Sequence, residues 1–476
     1  MDDTANVLAL YVRSQNWSEA VKLSQEHKGT FNDIVFLPYA LWLGDQGRFD
    51  EALEAFHKAG RRDLSGTMTA QLILNAVAKT RFDDASYYYW KSSKEAYYAA
   101  EDPQSRQDER RQALARAYEH SRAADLYHAF HHVHSFTTDP FTDLQPEVLL
   151  QASRFLVNSL GDAEAPRGIS RAHTLYTLAK QAKVLGAFKL ARFAYDRLQR
   201  QRMPPLWQDQ IDLDMLAVQA KPVRDNPELF AACFRCGTSN PLLSPFTAVS
   251  LSSNLSPADS LTASSTNRTG YDHNRLPWGD ACTTCRHPFV RSFFNFESLP
   301  LVEFEPEPGI GFDKALELIR TNVPQGRRHG RYGTHAQEWR EAKEGGADVM
   351  TLGSDDIDVG GEEDDSEERA GVSGDEIFNR CINTALEFQE ETTQYTPVLV
   401  SFRCLKALKR EEVFRVPPGT CGPRVKLFKN MMPDIPLALS QPCGRFFHEG
   451  DFEFAYLRGG RCPFSRVSDV GDYGSC

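Results

Sequence analysis

The N-terminal part of the chain alternates apolar and polar positions with helical spacing. In four segments an aromatic residue is followed three positions later by alanine, which gives Trp17/Ala20, Phe49/Ala52, Phe82/Ala85 and Phe188/Ala191. A small alanine lets two helices approach closely, and in three segments another aromatic residue four positions further on fills the groove between them. The pattern predicts pairs of antiparallel helices.

The spacing of these segments predicts a repeat architecture. The first three lie 32 and 33 residues apart, close to the period of about 34 residues in tetratricopeptide repeats. Gly47 and Gly186 stand where the turn between two helices needs a residue without a side chain. Unrelated amphipathic helices would share the helical period, but four similar segments favour a tetratricopeptide-like α-solenoid over residues 1–228. Stacked repeats of this kind hold other proteins, so the region predicts a scaffold.

Two Cys-x-x-Cys pairs follow the repeats: Cys233 with Cys236, and Cys282 with Cys285. Two such turns bring four thiolates around one Zn²⁺, so we predict a zinc-ribbon module over 229–310 with one structural zinc. The Ser-rich stretch at about 244–275 is predicted to be a disordered insertion between the turns. Redox chemistry is less favoured, because neither pair opens a helix after a strand.

Charge is concentrated in one segment. The formal net charge is −11, and residues 340–376 hold fourteen Asp and Glu against three Lys and Arg. We interpret 324–376 as an acidic disordered linker; a tether for a basic partner is the alternative. The balanced remainder offers no basic surface for nucleic acid. No apolar run is long enough for a membrane span, so we expect a soluble, intracellular chain.

No catalytic motif stands out, and we predict that the chain is not an enzyme. The phrase LYHAFHHVHSF places four histidines within two helical turns, at His128, His131, His132 and His134. A metal site there would need a further ligand and groups that orient the rings. Surface or interface histidines are the favoured interpretation.

Several phrases occur in an order typical of one family. The run YYYW, the elements LYHAFHHVH and DPF, and then LGAFKLARFAYDRL, CFRCGTSNPLL, CTTCRHPF and LPLVEFE closely resemble the C-terminal half of the intraflagellar transport protein 122 family, subunits of the complex A that moves cargo in cilia. Members of that family carry N-terminal WD40 propellers, of which this sequence has no blades. The resemblance therefore suggests the C-terminal portion of such a protein.

The resemblance implies a non-catalytic scaffold subunit of intraflagellar transport complex A. It would support retrograde transport, ciliary entry of membrane cargo and cilium assembly. Its implied partners are other complex A subunits and adaptors for ciliary membrane-protein cargo. The implied locations are the cytoplasm, the cilium, the ciliary basal body and the cytoskeleton.

Residues 377–476 are predicted to be a C-terminal module. Within it the run LSQPCGRFFHEGDFEFAYLRGGRCPFSR resembles the family's second zinc module, with two ligands changed. Ser440 and Ser465 stand where the family has cysteines, which leaves Cys443 and Cys462, with His448 as a candidate third ligand. Serine hydroxyls are poor zinc ligands beside thiolates. We favour a β-rich, metal-free module held by apolar packing, with a second zinc site as the alternative. QYTPVLVSFRCLKAL is predicted to form a strand pair.

Two other classes of protein remain open. A vesicle-coat or other interaction adaptor would also combine helical repeats with structural zinc. A RING-like ubiquitin ligase is less favoured, because it needs eight interleaved ligands for two zinc ions, whereas the first four ligands here are complete at Cys285.

Overall fold

The computed structural model describes residues 2–26, 32–102, 106–139, 141, 144–160, 165–243, 281–321, 374–390, 395–418 and 425–468. The predicted insertion at 244–275 lies outside the described residues, as does most of the predicted acidic linker. Residues 374–376 of that linker form the start of a helix. Among the described residues, no helix combines the length and apolar character that crossing a bilayer requires.

The first part of the chain is a stack of antiparallel helices, as predicted. Its α-helices are α1 Asp2–Arg13, α2 Trp17–Glu26, α3 Asn32–Asp45, α4 Phe49–Lys58, α5 Arg62–Ala78, α6 Phe82–Glu101, α7 Gln107–Thr138, α8 Pro146–Leu160, α9 Arg171–Val184, α10 Phe188–Leu198 and α11 Gln208–Gln219. Most described residues are helical, so the prediction of a mostly helical, tetratricopeptide-like chain is confirmed.

The aromatic/alanine pattern marks the second helix of each pair. Helices α2, α4, α6 and α10 begin at the four predicted aromatic residues, and the four alanines are fully buried. Two positions before each aromatic residue, the backbone has a positive φ, at Gln15, Gly47, Thr80 and Gly186. Only two of these residues are glycine, so the turn, and not the glycine alone, defines the repeat.

The second part of the chain mixes short strands with helices. Its strands are β1 Ala231–Ala232, β2 Ser239–Asn240, β3 Leu301–Pro306, β4 Val398–Val400, β5 Val413–Val416, β6 Lys426–Asn430, β7 Leu437–Ser440 and β8 Arg445–His448; its α-helices are α12 Phe312–Thr321, α13 Gly374–Glu390, α14 Phe402–Ala407 and α15 Glu449–Gly459. The prediction of a strand pair in QYTPVLVSFRCLKAL is wrong, because β4 is followed by helix α14. The side chains of Cys404 and Leu405 are buried in the core on one face of that helix.

A four-stranded sheet joins segments that are distant in sequence. Its order is β4-β3-β6-β5, with β3 parallel to β4 and antiparallel to β6. Strand β3 comes from the predicted zinc-ribbon range, and the other three strands come from the predicted C-terminal module. Phe304 of β3 packs edge-on against Phe378 of α13 in one core. The two ranges therefore share a sheet and a core.

The last two strands and α15 pack against the helical stack. Phe447, Phe452 and Phe464 are buried in one cluster with the repeat residues Leu53, Leu72, Ile73, Tyr87, Tyr88, Trp90 and Ala124. Ion pairs join Arg466 to Asp84 and Arg445 to Asp125 across this contact. The YYYW face of the repeats is thus covered by the C-terminal end of the same chain.

Candidate metal centre

Both Cys-x-x-Cys segments adopt the same tight turn. In the first, the Cys233 N–H donates to the Thr238 carbonyl at 2.9 Å and the Gly237 N–H donates to the Cys233 carbonyl at 2.8 Å. The second turn has the matching pair of bonds, Cys282 N–H to His287 O at 2.9 Å and Arg286 N–H to Cys282 O at 3.1 Å. Gly237 and Arg286 both have positive φ. Each turn thereby directs its two sulfurs to one side.

The two turns face each other and bring four sulfurs together. Cys233 Sγ lies 3.5 Å from Cys285 Sγ, and Cys236 Sγ lies 3.6 Å from Cys282 Sγ. All four sulfurs are within 4.8 Å of one another. Sulfurs bound tetrahedrally at about 2.3 Å from zinc would be about 3.8 Å apart, whereas a disulfide needs about 2.05 Å. The donor set and spacing fit one tetrahedral zinc.

The four thiols do not share their protons equally. The pKa of Cys282 falls to about 6, chiefly because Cys233 hydrogen-bonds to it. The pKa of Cys236 is lowered further by hydrogen bonds from the other three thiols, that of Cys233 first. The pKa of Cys233 is raised, chiefly by its hydrogen bond with Cys236, and the pKa of Cys285 is raised, chiefly by its hydrogen bond with Cys233. Neighbouring thiolates repel each other, so the site favours a bound cation.

Asn240 holds the two turns together. Its amide nitrogen lies within hydrogen-bonding distance of the Ala231 and Thr238 carbonyls, at 3.2 and 3.0 Å. Its amide oxygen accepts from the backbone and the hydroxyl of Thr283, at 2.8 and 2.9 Å. The amide nitrogen of Asn240 also lies 3.6 Å from Cys282 Sγ. This residue bridges the two sides of the long insertion, and sequence reasoning missed it.

A second pair of turns near the C-terminus repeats this geometry with different side chains. The residues at its ligand positions are all buried: Ser440, Cys443, Cys462 and Ser465. Its backbone bonds are Gly444 N–H to Ser440 O at 2.7 Å, Cys462 N–H to Val467 O at 2.9 Å and Arg466 N–H to Cys462 O at 3.0 Å. Cys443 Sγ and Cys462 Sγ are 4.0 Å apart, and Ser440 Oγ is 3.3 Å from Cys462 Sγ.

His448 does not join this second cluster. Its Nε2 lies 3.4 Å from a carboxylate oxygen of Glu297, and that interaction raises the pKa of His448. Within the part of the chain that the structure describes, the four cysteines of the first site are the one group of three or more candidate ligands close enough for a metal. The structure thus does not bring His448 together with Cys443 and Cys462, and a second zinc site stays the less favoured prediction.

The histidines of α7 lie at an internal contact. His128 stacks on Phe293, with ring centroids 3.9 Å apart, and its Nε2–H donates to the Phe293 carbonyl at 2.9 Å. Burial lowers its pKa well below the ordinary value, and burial lowers the pKa of His132 to about 4. Both rings are neutral packing groups between the helical stack and the second part of the chain.

Comparisons with known proteins cover nearly the whole chain. The family model described as "IFT122, TPR domain" matches residues 1–173. Similar curated proteins are the intraflagellar transport protein 122 homologs of Danio rerio (34% identical over 471 residues), Homo sapiens (34% over 468) and Xenopus tropicalis (35% over 465). Each alignment includes 98% of this chain.

The chain is a homologue of intraflagellar transport protein 122. It spans about a third of the length of these relatives, 32–34% in the three cases. The family's tetratricopeptide model ends at residue 173, before the first cysteine turn. The cysteine centre thus lies outside the part of the chain matched by that model.

Proposed function

We propose that this chain is a non-catalytic scaffold subunit of intraflagellar transport complex A. The observation that carries the proposal is the alignment of 98% of the chain with relatives named as intraflagellar transport protein 122 homologs. In this role it supports retrograde transport, ciliary entry of membrane cargo and cilium assembly. Its partners are other complex A subunits and adaptors for ciliary membrane proteins. It works in the cytoplasm, the cilium and the basal body, along the cytoskeleton.

The helical stack supports a scaffold role. Antiparallel helices built from repeated turns present long surfaces to partners. The YYYW face is covered by the chain's own C-terminal end, so partners bind elsewhere on the stack. Leu213 and Leu216 of α11 are exposed at its far end.

Zinc has a structural role in this proposal. Cys233, Cys236, Cys282 and Cys285 hold one Zn²⁺, which pins the two sides of the insertion in a zinc-ribbon module. Four sulfur ligands complete the coordination sphere and leave no open position for a substrate. The second pair of turns, with Cys443 and Cys462, forms a degenerate, metal-free knuckle module. Its apolar burial against the repeats supports stability without a metal.

A purification from ciliated cells tests the scaffold proposal. Tagged chain is captured, and the co-purifying proteins are identified by mass spectrometry, with Cys282→Ser as a matched variant. We expect complex A subunits with the parent chain and a reduced yield of them with the variant. Recovery of vesicle-coat subunits or of ubiquitin-conjugating enzymes, without complex A subunits, would contradict the proposal and support an adaptor or ligase instead.

A further inference from the structure

Arg235 is a buried cation inside the first cysteine turn. It lies between Cys233 and Cys236 in sequence, and only 3% of the residue is exposed. Its three guanidinium nitrogens are inaccessible and have no hydrogen-bond partner among the described residues. The guanidinium carbon is 5.2 Å from the centre of the Tyr395 ring. A guanidinium carries its charge at every accessible pH, so this positive charge is permanent.

The other charges around Arg235 are already matched. One carboxylate oxygen of Glu303 pairs with Lys426 Nζ at 2.9 Å, and the other accepts from the Tyr395 hydroxyl at 3.4 Å. His287 Nε2 accepts a hydrogen bond from the Glu303 backbone N–H at 3.3 Å, so this nitrogen carries no proton and the ring adds no charge. Among the described residues, no carboxylate hydrogen-bonds to Arg235.

An unmatched charge in a protein interior is strongly destabilising. Four thiolates around one divalent ion carry a net double negative charge, so a zinc-loaded cysteine centre would supply a counter-charge. Arg235 belongs to the turn that carries two of the four sulfurs, and the Tyr395 ring covers its guanidinium. Glu303 in turn fixes the Tyr395 hydroxyl.

We propose that Arg235 is the buried counter-cation of the tetracysteine zinc centre and favours a dianionic metal–thiolate complex there. This inference rests on the zinc site of the proposed function. Arg235 stabilises the thiolates when zinc is bound and lowers their reactivity toward electrophiles. Because the group is buried, its effect on the site is screened little by salt.

Zinc affinity and thiolate reactivity of the full-length chain test the proposal. Arg235→Met keeps an unbranched apolar stem against Tyr395 and removes the charge. Substitution of a group that supports metal ligands usually weakens metal affinity about 10- to 100-fold, and we expect that loss here. Arg286→Met is the matched control, because Arg286 follows Cys285 in the facing turn but is exposed. We expect its zinc affinity to stay within about three-fold of the parent, since an exposed charge is well screened.

The measurements are zinc competition with a chromophoric chelator and the rate of alkylation of the four cysteines by N-ethylmaleimide, read by mass spectrometry. Faster alkylation and weaker zinc binding in Arg235→Met, but not in Arg286→Met, would support the counter-cation. Equal values in Arg235→Met and the parent would overturn it.

Two further outcomes are separable. If the parent binds no zinc, the metal proposal itself fails; if zinc binds equally well without Arg235, only the counter-cation fails. Should Arg235→Met not fold, Arg235→Lys decides, because it keeps a cation beside Tyr395. Near-parent zinc affinity in Arg235→Lys would support the role of charge, whereas a loss of about ten-fold or more would overturn it.

Discussion

Two pairs of turns in this chain have the same backbone conformation but differ in the side chains that stabilise them. The first presents four cysteines whose sulfurs lie within 4.8 Å of one another. The second presents two cysteines and two serines on turns with the same hydrogen bonds and the same positive-φ residue after the fourth position. The comparison teaches that the turn geometry does not depend on a full set of metal ligands.

The second pair of turns lacks two of the four thiols and is stabilised by apolar packing. Phe447, Phe452 and Phe464 are buried with aromatic residues of α6, and the rings of Trp90 and Phe464 lie 5.3 Å apart. Each large apolar side chain buried this way contributes about 1.5–3 kcal/mol. Among the described residues, the buried cysteines of the first pair pack chiefly with Phe289 and Leu386. Four cysteines placed as candidate metal ligands on one side and apolar burial on the other are alternative ways to close the same turns.

Removing one thiolate from each pair separates the two cases most strongly. We expect Cys282→Ser to abolish zinc binding and to unfold its module, because zinc supplies on the order of 10–16 kcal/mol to small structural sites. Cys462→Ser, the same substitution in the second pair, should leave zinc unchanged and cost about 1 kcal/mol, the size of a typical hydrogen-bond loss. Elemental analysis and thermal unfolding with and without chelator give both values. Zinc loss in Cys462→Ser would erase the contrast.

The contribution of packing is tested on α15. Phe452 is fully buried and Phe454 is 70% exposed, only two residues away on the same helix. Phe452→Ala should lower the free energy of unfolding by about 3–5 kcal/mol because it leaves a cavity in the core. Phe454→Ala should change it by no more than about 0.5 kcal/mol. Chemical denaturation measures both, and similar losses in the two variants would argue against a packed C-terminal end.

Restoring the two missing thiols of the second pair of turns tests the same comparison in the opposite direction. Because the backbone of both C-terminal turns is already in place, the double variant Ser440→Cys, Ser465→Cys should bind one additional zinc. At a free zinc concentration of about 100 times the dissociation constant, that binding would stabilise the chain by about 2.7 kcal/mol. Zinc per chain and the melting temperature are the measurements. No gain of metal would mean that these turns are not preformed.

The smallest effect concerns His448. The interaction with Glu297, at 3.4 Å, raises the pKa of His448, and the same interaction lowers the pKa of Glu297. The stabilisation from His448 is therefore fully present below its unfolded pKa and is lost as pH rises through the higher folded value. Glu297 is largely exposed, so the pair is worth about 0.2–1 kcal/mol.

Comparing parent and His448→Gln by chemical denaturation at pH 6 and pH 8.5 tests this pair. The parent should lose its small advantage at the higher pH, and zinc content should stay the same in both proteins. A change in zinc content in His448→Gln would instead indicate that His448 is a metal ligand.

Local patterns in the sequence predicted the parts of the fold that depend on near neighbours. The aromatic residue at the start of each second helix and the alanine three positions later indicate a contact between the two helices of one repeat. The Cys-x-x-Cys spacing likewise indicates a single turn. Contacts between residues far apart in the chain determine the roles of Asn240 and Arg235. The same holds for the C-terminal residues that cover Trp90. Such contacts leave no periodic signal, so only the folded structure reveals them.

The ligand set of the bound metal tests the central claim most directly. Full-length chain is purified without added metal, its zinc is counted by elemental analysis, and its zinc environment is measured by X-ray absorption. The account predicts one zinc per chain with four sulfur ligands at about 2.3 Å. A zinc with two sulfur and two lighter ligands, or a folded chain that holds no zinc, would contradict it.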